Sequence, residues 1–158
     1  MERCFVFNHK ELQGIKMKIY LCPTEPVELT KSTTWISNLA TFNGVVGDSE
    51  ATSIVCDFFL SSFKYEELQG VLNKIVSKMR LNSELILIHP DINILSQRLV
   101  REEVDTQTFN NILFKAGGIK SVFPMEDVER SLPSSVQVTH KHFDALTSQI
   151  ILTARRTA

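Results

Sequence analysis

Three short stretches of this chain carry side chains able to do chemistry, and each follows an apolar run that reads as a buried strand: Cys22-Pro23-Thr24-Glu25, Asp57-Phe58-Phe59 and His89-Pro90-Asp91. The imidazole of His89, with an unperturbed pKa of roughly 6.5, suits a general base. Asp57 interrupts the run IVCDFF and must reach water or a partner, because an isolated buried charge is expensive. It can therefore orient a reacting group or take its proton. Each residue also has a plainer reading. A histidine before proline at a strand end satisfies backbone groups, and Asp57 is then the first exposed residue past its strand. Glu25 is then a solvated loop carboxylate, and Phe58 and Phe59 are core. Asp91 precedes INILSQ and fits a helix N-cap. His140 and His142 share a strand face near Asp144, but nothing completes a tetrahedral metal set.

The elements that must position these residues follow from hydrophobic periodicity. KIYLC, TTWISNL, ATSIVCDFF and LNSELILIHP read as strands, and turn signals at Gly44 and Gly47 mark FNGVVGDSE. YEELQGVLNKIVSKMR is the strongest helix, with Leu68, Val71, Leu72, Ile75 and Met79 on one stripe. INILSQRLVREE, TFNNILF and MEDVERSL are further helical segments. VQVTHKHF and SQIILTAR alternate as an antiparallel pair. Strand–helix alternation with continuously apolar strands predicts an α/β fold: a doubly wound, mostly parallel sheet covered on both faces, closed by a C-terminal antiparallel hairpin. In such sheets ligands bind outside the carboxyl ends of the strands, which gathers the three stretches on one rim.

Composition narrows the function classes. The 158 residues are 43% hydrophobic, enough for one packed domain over 17–158, with 1–16 expected to be an N-terminal extension. Seventeen basic residues against eighteen acidic ones give a net charge of -1, without the positive excess of a nucleic-acid-binding face. Cys4, Cys22 and Cys56 are odd in number and lack metal-ligand spacing, which fits a reducing, cytoplasmic compartment. The first residues show no secretory cleavage pattern, and no apolar run approaches the roughly 20 residues that span a bilayer, so a soluble protein is expected. The P-loop, serine-hydrolase and paired-cysteine motifs are absent.

From Thr52 to Arg156 the order of segments resembles class I S-adenosylmethionine-dependent methyltransferases, in particular their small bacterial and phage members. SIVCDFFLSSFKYEELQGVLNKIVSKMRLNSELILIHPD stands where that family has a strand, a helix and a second strand ending in Pro-Asp. FNNILFKAGGIKSVFPMEDVERSL and VQVTHKHF with SQIILTARR resemble its following helical segment and terminal hairpin. The resemblance implies S-adenosylmethionine as cofactor and an unidentified methyl acceptor. It places Asp48 of VVGDSE on the adenosine, Asn38 on the ribose, Cys22, Glu25 and Phe58 around the cofactor, and Asp57 or His89 on the acceptor side. Against the family pattern, the loop after the first strand is CPTEPVEL, with two prolines and no glycine, and one strand–helix unit is missing from the first half.

Two functions follow. One is methyl transfer, which needs in-line positioning and an acceptor deprotonated by a neighbouring base. The other is a protein that keeps the fold without the catalysis and binds a partner, or a second copy, through the edge of its shortened sheet.

Overall fold

A computed structural model describes residues 17–114 and 118–158. The N-terminal extension expected over 1–16 lies outside them.

The sheet has six strands in the order β2-β1-β3-β4-β6-β5. Strands β1 (Met17–Leu21), β2 (Thr33–Ile36), β3 (Ala51–Asp57) and β4 (Met79–Pro90) run parallel, while β6 (Gln149–Arg156) pairs antiparallel with β4, and β5 (Val136–Asp144) antiparallel with β6. The mostly parallel α/β sheet with an antiparallel C-terminal pair is thus as the sequence predicts. Helices α1 (Leu39–Val45), α2 (Leu68–Lys78), α3 (Ile92–Val100), α4 (Thr106–Phe114) and α5 (Met125–Ser131) connect the strands.

Of the stripe foreseen on this helix, α2 buries Leu68, Val71, Leu72 and Ile75, with Val76 beside them, while Met79 is buried as the first residue of β4. Full burial of such side chains stabilises by roughly 1.5–3 kcal/mol each. Together with Phe42 and Val46 at α1 and Met125 and Val128 of α5, they pack on the sheet face built from Ile19, Leu21, Ile54, Cys56, Leu85, Leu87, Ile150, Leu152 and Ala154. The alternate residues Tyr20, Val55, Ile86, Ile88 and Ile151 point to the other face and are half-buried. Among the described residues, neither hydrophobic cluster includes these five.

Local sequence explains two features of these elements. FNGVV is not a turn but the second half of α1, because Asn38 caps the helix by accepting from the Thr41 backbone N–H at 2.8 Å. Within β4, Asn82 takes a left-handed backbone (φ 62), and the pairing with β3 shifts register there. Asparagine tolerates this region better than most residues.

No helix among the described residues is long and apolar enough to cross a membrane.

Candidate functional site

The carboxyl ends of the parallel strands form a rim to which the chain delivers Cys22, Asp57, Phe58 and His89, with Glu25 and Asn38 in the adjoining connections. β1 and β2 are neighbours and parallel, yet residues 22–32 join them without a helix, and most of that crossover is exposed, Glu25 included. Its start is tied down: the indole N–H of Trp35 donates to the Cys22 carbonyl at 3.0 Å, and the buried Cys22 thiol lies 3.8 Å from Thr24 Oγ1.

Tyr20 and Asp57 share the sheet face opposite the core. Tyr20 is in register with Val55, so Asp57 stands one pleat further along the neighbouring strand. The Tyr20 hydroxyl donates to Asp57 Oδ2 at 2.6 Å. Burial, and then that hydrogen bond to a carboxylate, push the phenol's pKa well above its ordinary value. Period-two alternation puts both residues on one face, so this pair was legible in principle. Their pairing depended on a register that the sequence does not display.

His89 is 1% exposed and sits between the rings of Phe58 and Phe123, with centroids 6.4 and 5.5 Å away. Its Nδ1 lies 2.6 Å from the Pro90 carbonyl, which can only accept. Nδ1 therefore carries the proton, and Nε2 accepts from the Ser61 hydroxyl at 2.8 Å. Desolvation lowers the imidazole pKa to about 4, outweighing the opposing effects of the Pro90 carbonyl and Asp91. The ring is thus neutral near pH 7, with both nitrogens occupied. Ser61, which sequence reasoning missed, is fully buried with it.

Asp91 caps α3 as expected, accepting from Ile94 N–H at 3.0 Å. Its second oxygen accepts from the N–H of Met125, at the start of α5, at 2.7 Å. The strand tip His89-Pro90-Asp91 is consequently a structural junction.

Phe58 forms one wall of a cleft of about 200 Å³ beside this junction, lined also by Thr108, Asn111 and Ile112 of α4 and by Thr147 and Gln149 at the β5–β6 turn. Its backbone is left-handed, with φ 54 and ψ 4. No metal-capable group of three or more His, Cys, Asp or Glu exists among the described residues, although the rings of His140 and His142 stack at 6.5 Å.

No protein-family model matches the chain, and no curated protein matches it. Solved structures do. A SAM-dependent methyltransferase from Methanosarcina mazei aligns with 88% of this chain and 81% of its own, at 11% identity and a TM-score of 0.55. The fold is that of class I methyltransferases.

Magnesium protoporphyrin IX methyltransferase from Synechocystis PCC 6803, solved with bound SAH, shares this methyltransferase fold over 80% of the chain and 52% of its own, with 15% identity and a TM-score of 0.53. The 1,6-didemethyltoxoflavin-N1-methyltransferase of Burkholderia thailandensis gives 89% and 61%, 10% identity and the same score. The chain spans about half the length of several structures it matches.

Within the methyltransferase fold, the residues given cofactor roles by resemblance are dispersed. Asp48 lies between α1 and β3, at the opposite end of the parallel strands from Asp57, and ion-pairs with Lys78 at 2.8 Å. Asn38 is engaged in capping α1. Cys22 is buried, and Glu25 is solvated nearby. Phe58 reaches the cleft on the α4 side of the rim.

Proposed function

We propose that this chain is a methyltransferase-fold binding module that does not transfer methyl groups from S-adenosylmethionine. The observation that carries this reading is the internal engagement of the polar groups around the end of β1. The Cys22 carbonyl accepts from Trp35, and the Asp57 carboxylate accepts from Tyr20. Either oxygen can accept a further bond, but a cofactor that took the place of Tyr20 at Asp57 Oδ2 would break a bond to a charged group, worth about 1.5–3 kcal/mol. Asn38 Oδ1 is likewise committed to a helix cap. Pro23 and Pro26 in the adjoining crossover supply no backbone donors of their own. Among the described residues no strand pairs with the outer edge of β2, which offers backbone groups to a protein partner or a second copy.

Methyl transfer is the second reading, favoured by the cleft at Phe58, whose neighbour Asp57 would then act as base toward an acceptor bound there. Thermal unfolding with S-adenosylmethionine or S-adenosylhomocysteine separates the two. A ligand at a hundred times its dissociation constant stabilises by about 2.7 kcal/mol. The binding-module reading expects no shift at millimolar cofactor and no change in the emission of Trp35, the single tryptophan. Saturable binding by calorimetry would overturn it in favour of the enzyme.

A further inference from the structure

We infer that His140 and His142, on the edge strand β5, chelate one divalent transition-metal ion of the zinc, nickel or copper kind. This goes beyond the binding-module reading and does not depend on it.

The two residues stand two apart on β5, so period-two alternation puts them on one face, and both are exposed. Their rings are nearly parallel, with 11° between planes and 6.5 Å between centroids. An imidazole nitrogen binds zinc at about 2.0–2.1 Å, so two nitrogens on one ion are at most about 4.2 Å apart. The rings need only lean together at their tips, a rotation open to exposed side chains. Among the described residues, neither imidazole has a hydrogen-bond or ion-pair partner, so no bond has to break as the stacked pair turns to an ion.

A β-bulge aims the pair outward. The register between β5 and β6 shifts between Val138 and His140, which leaves Thr139 as the extra residue. Val136 before the bulge and Phe143 after it both pack against the main core, although they are an odd number of residues apart. Without the extra residue the even positions would go on facing the core, and both histidines would turn toward it. Bulges commonly re-aim a side chain in this way. Lys141, between the two, points to the other face and ion-pairs with Glu129 and Glu126, so its charge is compensated away from the histidines. Two charged side chains of β5 and β6 share the histidine face. Asp144 follows His142 and interacts with it electrostatically, which favours a cation there. Arg155 lies across the bulge, opposite Gln137 and beside Glu84.

Chemistry selects the ion. Imidazole nitrogen suits zinc, nickel and copper, whereas magnesium and calcium require oxygen ligands. Two ligands from the chain leave the remaining positions open to water or to a donor group of a partner.

The test is titration of the full ¹⁵N-labelled chain with zinc chloride and, separately, magnesium chloride, read on the ring signals of its four histidines. Zinc should move the signals of His140 and His142 together, saturating at one ion per chain at submillimolar concentration, and leave His89 in place. Magnesium should move neither. His140→Ala and His142→Ala should each weaken zinc at this site at least about tenfold, because the second imidazole acts as an intramolecular ligand. His140→Ala combined with Lys141→His keeps the number of imidazoles but puts the two on opposite faces, and should weaken zinc as much. All three positions are exposed, so the amide spectrum of the rest of the chain should stay unchanged. Absence of a saturable shift at the pair, movement of only one ring, an equal response to magnesium, or zinc binding indifferent to these substitutions would overturn the assignment.

Discussion

The Tyr20 hydroxyl bonds to Asp57 across two neighbouring parallel strands, at 2.6 Å, on the sheet face opposite the main core. This bond keeps a carboxylate at the end of an apolar strand without a basic partner. Tyr20→Phe should destabilise the fold by about 1.5–3 kcal/mol, the range for bonds to charged groups. The sign of its pH dependence follows from the raised phenol pKa. The folded state favours the protonated phenol, so its contribution is complete below the unfolded value of about 10 and is lost as pH rises beyond it. Urea midpoints at pH 8 and pH 10.5 should therefore differ more for the unsubstituted protein than for Tyr20→Phe.

His89 should make stability depend on acid in the opposite direction. Its folded pKa, about 4, lies below the ordinary value of about 6.5, so the unfolded chain binds more protons between them. The contribution is present in full above pH 6.5 and declines as pH falls toward 4, by on the order of 3 kcal/mol. Denaturant midpoints measured from pH 7 to 4.5 should fall, and His89→Gln should flatten that trend. A trend unchanged by the substitution would assign it to other groups.

Asp91 joins two helix starts through its two carboxylate oxygens. Asp91→Ala removes an N-cap and a second charge-assisted bond, for a combined cost of about 2–4 kcal/mol. Asp91→Asn keeps one acceptor and should cost about half as much. Equilibrium urea unfolding of both variants checks the order; equal costs would show that only one of the two bonds matters.

Cys56 should be inert in the native state. It is 1% exposed, and burial, followed by the charge of Asp57, pushes its thiol pKa far upward, which suppresses the reactive thiolate. Peptide-resolved maleimide labelling should modify Cys56 slowly in buffer and rapidly in urea. Fast native labelling would contradict the packing of β3 against α2.

Much of this architecture is legible in sequence because it rests on local patterning. The apolar stripe of α2, the apolar strand run Leu85–Ile88, the Asp91 cap and the C-terminal antiparallel pair are each encoded within a few residues. Hence the strand tip at His89 could be placed, whereas the partners of its two ring nitrogens, Ser61 and the Pro90 carbonyl, emerge only in the folded chain. The helix α1 was missed because Gly44 and Gly47 read as turn signals.

What the sequence alone determined, then, is the order of the strands and of every α-helix but α1, which depends on propensity and periodicity. Tertiary structure decided which strands became neighbours, and with them the functional geometry. Parallel pairing in a particular register brought Tyr20 to Asp57. The crossover from α1 carried Asp48 to the far end of the strands. The fold of α4 over the β5–β6 turn built the cleft at Phe58. These contacts join residues far apart in the chain, and their energies depend on distances that no local pattern specifies.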